Sequence, residues 1–258
     1  MKKYIDNFIR YQYLLSELVK KGIRLKYRKS YLGILWSLLE PLLQMIVLTI
    51  VFGTLFGNHT REFPVYILTG RLLYSFFSQS TKGSVKSIRK NSAMIKKIYV
   101  PKYLYVMSDV IFNYIIFLIS LLVLAIIAPL MGVYPTVGLV RAIVPLVVIF
   151  VLAYGGGMIL ATIGVFFRDM EYLWGVCLML VMYTCAIFYP AERLMNSGFG
   201  WILKLNPLYC CIELFRDAVF NTPFNTWTLW YAIGFSLVAT LVGLVFFKTK
   251  QDDFILHI

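Results

Sequence analysis

The sequence predicts an all-α membrane protein with six transmembrane helices, preceded by an amphipathic helix lying in the membrane interface. Three observations carry the prediction. Hydrophobic residues fill 60% of the 258 positions and charged residues 14%, against about 45–50% and about 25% in soluble domains. Apolar runs recur at the roughly 20-residue length that crosses about 30 Å of hydrocarbon. Positive charge is concentrated, with nine of the 25 Lys and Arg in residues 1–30 and seven more in residues 82–102. The positive-inside rule assigns both clusters to the cytoplasm. A net charge of +13 placed in this way points to anionic headgroups and an acidic protein partner rather than to nucleic acid.

The elements follow in order. Residues 4–28 set Tyr4, Ile5, Phe8, Ile9, Leu15, Leu18 and Val19 on one helical face, the pattern of a helix lying on a membrane surface. Six spans follow at 32–56, 63–84, 104–130, 139–166, 172–189 and 227–247. An even number puts both termini, the 82–102 loop and the 167–171 turn on one side. The first apolar run begins near Tyr31, too late and too long for a cleaved signal peptide. Between spans five and six, two apolar stretches at 199–205 and 208–219 flank Asn206-Pro207. Each is too short to cross, so they form either a re-entrant pair, tolerated only where protein or a watery cavity satisfies the backbone, or an ordinary interfacial pair. No repeat and no Pro- or Gly-rich linker divides residues 1–258, which read as one domain.

Chemistry-bearing motifs are sparse. His59 and His257 have no metal-binding neighbours, no GxxxxGK[ST] phosphate loop occurs, and Cys177, Cys185, Cys210 and Cys211 form no CxxC. The cysteines read as small apolar residues, and Gly155-Gly156-Gly157 reads as a site of close helix packing. Three ionisable residues fall inside spans, where charge is costly and usually functional. Glu40 and Asp109 enter from the cytoplasmic end to a depth of about 8–12 Å at 1.5 Å per residue, and Arg71 enters from the other side. A direct Glu40–Arg71 pair needs a large axial offset to close. Each is expected to face a polar cavity or another helix, although snorkelling accounts equally well for Asp109. The 82–102 loop carries no acid and shows the apolar pairs Met94-Ile95 and Ile98-Tyr99, as a helix docking on a partner does; a bare topology determinant has the same composition. Aromatic residues are abundant at 17%. They serve as interfacial belts or core, and they are also what a carbohydrate pathway requires for stacking.

Five segments together resemble the permease subunits of ABC-2 type polysaccharide exporters, which serve O-antigen, capsule and teichoic-acid export. They are KYRKSYLGILWSLLEPLLQM at 26–45, FPVYILTGRLLYSFF at 63–77, IKKIYVPKYLYVMS at 95–108, FFRDMEYL at 166–173 and NPLYCCIELFRDAVF at 206–220. The resemblance implies a homodimer in a bacterial cytoplasmic membrane with both termini cytoplasmic. It also implies two copies of a separate ATPase that binds the ATP and Mg, no cofactor in this chain, no catalytic residue, and a lipid-linked polysaccharide as cargo. By the same likeness Lys90, Asn91, Met94, Ile95, Lys96, Lys97, Pro101, Arg168 and Asp169 receive the ATPase stroke. Trp36, Arg71, Tyr74, Phe77, Tyr183, Phe188 and Tyr189 line the translocation path. Asn206, Pro207 and Arg216 belong to two re-entrant helices at the outer exit. Arg71 departs from the aliphatic residue common after the glycine of the second span, and a cation there suits an anionic cargo group or an acidic partner on a neighbouring helix. The rival readings are an ABC-2 exporter of drugs or small lipids, a secondary transporter and a membrane enzyme. The missing repeat and carboxylate chain disfavour the second, and the lack of clustered acids or metal ligands disfavours the third.

Overall fold

The computed structural model describes residues 2–28, 30–56, 60–97, 100–195, 198 and 200–257. His59, Ile98, Tyr99 and Phe199, together with the side chains of residues 2–10, lie outside the description, so the readings that fell on them stop there. All regular structure among the described residues is helical. Helix α1 (Lys2–Tyr27) leads through a 3-10 turn at Gly33–Leu35 into α2 (Trp36–Phe56), followed by α3 (Phe63–Lys90), the short α4 (Ser92–Ile95) and α5 (Tyr103–Leu130). A 3-10 stretch, Val137–Ala142, precedes α6 (Ile143–Phe166) and α7 (Met170–Tyr183). Three short helices follow, α8 (Ala191–Met195), α9 (Gly200–Leu205) and α10 (Pro207–Val219), then α11 (Thr226–Lys250) and α12 (Phe254–His257).

Among the described residues, four segments are long and apolar enough to cross a bilayer: Gly33–Leu55, Tyr103–Leu130, Val137–Phe166 and Thr226–Lys250, with mean hydropathy from 2.0 to 2.9. The other two expected spans differ, each for a physical reason. Helix α3 has 28 residues, about 42 Å at 1.5 Å per residue, but it is more polar. It lies at the centre, packed by α2, α5, α6, α7 and α10, so Thr69, Ser80, Thr81, Ser84 and Ser87 meet protein instead of lipid. The Thr81 and Ser84 hydroxyls donate back to the Phe77 and Ser80 carbonyls. The expected span 172–189 ends as a helix at Tyr183, and residues 184–189 leave the helical path, with Ala186 at φ 45°.

The glycine triplet does hold helices together. A Cβ on Gly157 would stand 2.6 Å from Ser84 Oγ of α3, and one on Gly155 would stand 2.5 Å from the Thr240 nitrogen of α11. Gly156 meets nothing within 4 Å. Backbones this close maximise dispersion contact and interhelical hydrogen bonding where no hydrophobic force drives helices together, and Thr240 Oγ1 donates to the Val151 carbonyl across the seam at 3.0 Å.

A second core gathers both ends of the chain. Leu15 of α1, Ile88, Ile95, Val100, Leu104, Val165, Phe247 and Phe254 pack as one cluster. The first helix, the basic loop and the C-terminal tail therefore share one end of the bundle, in agreement with an even number of crossings. The described part of the α1 stripe corrects the surface reading: Leu15 and Val19 are buried and α1 packs along α5, so protein covers that face.

Candidate functional site

The Pro41 ring in α2 has no N–H and leaves the carbonyl four residues back, that of Ser37, without its helical donor. Ser120 of α5 supplies one, its hydroxyl lying 2.8 Å from the Ser37 carbonyl oxygen. Around this point α2, α3 and α5 enclose a small cavity of about 40 Å³, lined by Ser37, Glu40, Gln44, Arg71, Asn113 and Ser120 among others. Along it, Arg71 Nε donates to Gln44 Oε1 at 2.9 Å, and Gln44 Nε2 donates to Glu40 Oε1 at 3.2 Å. The axial offset between Glu40 and Arg71 is thus bridged by an amide placed one turn beyond Glu40. A second chain runs from Lys26 Nζ to Gln79 Oε1 at 2.8 Å and from Gln79 Nε2 to Ser75 Oγ at 3.0 Å. Every member can donate or accept, so charge at this depth is met by fixed dipoles. Asp109 stands one turn along α5 from Asn113, beside Gly83, and its carbonyl accepts from Asn113 Nδ2 at 2.8 Å.

The break after α7 forms a second polar knot. Arg216 of α10, 4% exposed, gives Nη2 to the Tyr66 and Ala186 carbonyls at 3.1 Å each, and its guanidinium lies 3.4 Å from the centre of the Tyr66 ring. Gly70 makes room, since a Cβ there would stand 2.8 Å from Arg216 Nη2. Tyr66 Oη adds bonds to the Ala186 and Tyr189 carbonyls. Asn206 caps α10 by accepting from the Leu208 and Tyr209 amides, with Pro207 at the first helical position, and its Nδ2 reaches Thr184 Oγ1 at 3.2 Å. Irregular backbone inside a bundle is tolerated when protein satisfies its polar groups, and these side chains do so.

At the shared end, Glu171 binds the α6–α7 turn to α3. Lys86 Nζ lies 2.7 Å from Glu171 Oε1, and Arg89 Nη2 lies 3.7 Å from Oε2. The Lys86 hydrogen bond holds the Glu171 carboxyl below its usual range. Lys90, Lys96, Lys97, Arg168 and Asp169 are exposed. Asn91 is half-buried, with Nδ2 donating to the Ser87 carbonyl at 2.8 Å, and Pro101 is half-buried at the approach to α5.

These positions revise the sequence-based expectations. Ile95 is buried in the second core and Met94 packs against it, so this apolar pair serves the chain's own fold while its basic neighbours face outward. Tyr74, Phe77 and Phe188 are buried in the main core because α3 is central. Tyr74 Oη donates to the Leu178 carbonyl, and Phe188 stacks on Phe52 at 4.8 Å. Tyr74, Phe77 and Phe188 are each less than 10% exposed. Tyr189 is half-buried with its hydroxyl on the Tyr183 carbonyl, whereas Trp36 and Tyr183 are exposed on α2 and α7. Gln44 and Ser120 escaped the sequence reading; the 167–171 turn, expected from the family likeness to transmit the ATPase stroke, and the basic 82–102 segment did contain Glu171, Lys86 and Arg89, but not their pairing. Pro41 did announce an orphan carbonyl at Ser37, but nothing in the sequence says which helix supplies the donor.

Residues 13–220 match the ABC-2 type transporter family. The chain is 28% identical over 243 residues to the O-antigen export system permease protein RfbA of Klebsiella pneumoniae, covering 93% of each chain. It is 29% identical over 258 residues to the O-antigen export system permease protein RfbA of Myxococcus xanthus, covering 98% of each. With the polysialic acid transport protein KpsM of Escherichia coli the identity is 24% over 242 residues, covering 92% of this chain and 93% of the relative.

Proposed function

Because the chain belongs to the ABC-2 type transporter family, we propose that it is the membrane permease of an ATP-driven exporter of cell-surface polysaccharide, of the O-antigen or capsule class. The observation that carries this reading is its near end-to-end likeness to export permeases. In this reading α3 and α7 join the four apolar segments to make six crossings. The Pro207–Val219 helix and its short neighbours form the re-entrant outer segment, and both termini face the cytoplasm of a bacterial inner membrane. A separate ATPase binds ATP and Mg, and two copies of it dock on two copies of this chain.

The geometry supports a division of labour. Glu171 at the start of α7 is tied to Lys86 and Arg89 of α3, so a partner that docks on the exposed cations Lys90, Lys96, Lys97 and Arg168 and presses on either the loop or the turn moves α3 and α7 together. The exposed faces of α2 (Leu43, Val47, Ile50) and α7 (Val176, Met179, Leu180) suit a second copy, with Trp36 and Tyr183 bordering a path for a lipid-linked polymer. Binding of nucleotide then shifts the population toward an open path. The test is purification of the tagged chain from its native membrane, with identification of bound proteins and native mass, and complementation of polymer export in a strain lacking the gene. Recovery of a two-plus-two complex with an ATPase, together with restored surface polymer, supports the proposal. A lone monomer that transports in liposomes without ATP overturns it.

A further inference from the structure

We propose that Ser120 is a positioning residue for α2, supplying from α5 the hydrogen bond that Pro41 removes and so setting the angle at which the inner part of α2 stands. The Ser37 carbonyl is the acceptor that an N–H at position 41 would serve. In its place the Ser120 hydroxyl lies 2.8 Å away, and both serines are about 5% exposed, where water offers no substitute. The same hydroxyl also lies 2.9 Å from the Ile116 carbonyl, but that oxygen is four residues back in α5 and already accepts the Ser120 amide. The single hydroxyl proton is therefore worth more on Ser37.

The surroundings mark Pro41 as a pivot. Pro41, Ser37 and Ser120 all line the small cavity between α2, α3 and α5. Beyond the proline, Gln44 is held by Arg71. Before it, Ser37 is held by Ser120. Helix α2 is thus pinned by polar contacts to α3 on one side of its proline and to α5 on the other, alongside the apolar packing of Leu38, Leu42 and Met45. Arg71 gains from this a role inside the chain, through Gln44, that requires no cargo.

The assignment rests on the reading that α2 borders the path, and the test separates the two. Four variants are compared in the full complex: Ser120→Ala, Ser120→Thr, Pro41→Ala, and Pro41→Ala combined with Ser120→Ala. Hydrogen exchange of the peptide covering residues 36–46 reports local opening of α2 around Pro41, surface polymer in a deletion strain reports export, and gel filtration confirms assembly. Ser120→Ala should speed exchange about tenfold, the factor expected when a buried acceptor loses its donor, and should lower export by a similar factor. Ser120→Thr keeps the hydroxyl and should match the parent. In the double variant the backbone amide regained at position 41 should restore both readouts, which a merely structural role for Ser120 would not allow. Unchanged exchange in Ser120→Ala overturns the inference, as does a defect that Pro41→Ala fails to rescue. Faster exchange with undiminished export also overturns the positioning role and removes α2 from the path. A parent chain that never restores export counts against the proposed function alone, since the exchange readout needs no cargo.

Discussion

The three consecutive glycines of α6 offer an internally controlled prediction. An alanine at Gly155 would place its Cβ 2.5 Å from the Thr240 nitrogen and 2.7 Å from the Thr240 Cα, both backbone atoms that cannot rotate away. Ordinary contact lies near 3.5–4.0 Å, so α6 and α11 must separate by roughly 1 Å. A gap of that size forfeits a quarter to a half of the dispersion well for each affected atom pair, and overpacking of this kind costs about 1–3 kcal/mol. The gain in helix propensity from Gly to Ala, about 1 kcal/mol, offsets part of it. Gly155→Ala should therefore destabilise by about 1 kcal/mol, and Gly155→Val by more, since Gly243, one turn from Thr240 on α11, is also close: a Cβ there would stand 2.6 Å from the Gly155 carbonyl oxygen. Gly156→Ala meets nothing and should be neutral or stabilising. Thermal unfolding of the detergent-solubilised protein, followed by gel filtration after heating, reads the ranking as melting temperatures a few degrees apart. If Gly155→Ala and Gly156→Ala melt together above the parent, the close α6–α11 approach is wrong.

Three further outcomes follow from the charged groups and thiols. Glu171→Gln should uncouple ATPase activity from export while leaving assembly intact, because the exposed tie adds little stability. The lowered Glu171 pKa means that its contribution is present above the unfolded carboxyl value of about 4.5 and fades as pH falls through the lower folded value. The difference between parent and Glu171→Gln should then hold at about pH 6 and vanish in strong acid, and a difference growing below about pH 4 would refute the assignment. Arg216→Leu should cost about 2 kcal/mol by leaving buried carbonyls short of a donor. Arg216→Lys should recover little of it, since an ammonium cannot both stack on Tyr66 and fork between two carbonyls; full recovery in a melting assay would argue against the knot. A maleimide should label Cys177, which is exposed, and spare Cys185, Cys210 and Cys211, which are buried; mass spectrometry after brief labelling reads the result.

Membrane character was legible in composition, and the long apolar segments were legible in their length. Family membership was visible in five ordered segments, from the basic stretch entering α2 to the Asn206-Pro207 start of α10. The packing role of Gly155 and Gly157 could be anticipated because glycine inside an apolar helix has few other uses. What the sequence left open is which face of each helix is covered. Tyr74, Phe77 and Phe188 have the composition of a sugar-binding lining, yet α3 is central and they are core. Met94 and Ile95 have the pattern of a docking helix, yet Ile95 closes the second core. The span expected at 172–189 looked continuous because residues 184–189 are mostly apolar, and hydropathy carries no signal for a backbone that turns at Ala186 and is satisfied by Tyr66 and Arg216, more than a hundred and about thirty residues away respectively.

By itself the sequence determined the four long apolar segments, where positive charge accumulates, and that a proline at position 41 lacks the N–H a helix needs there, since each depends on neighbours within a turn or two of the chain. Only the tertiary structure decided that α3 would be the polar helix inside the bundle, that Gln44 would bridge Glu40 and Arg71, that Glu171 would take Lys86, and that Ser120 would answer Pro41. A side chain's partner depends on the rotation and depth of the helix facing it. Those are set by packing across the whole bundle, where small residues and paired dipoles decide contacts that hydrophobicity leaves undetermined.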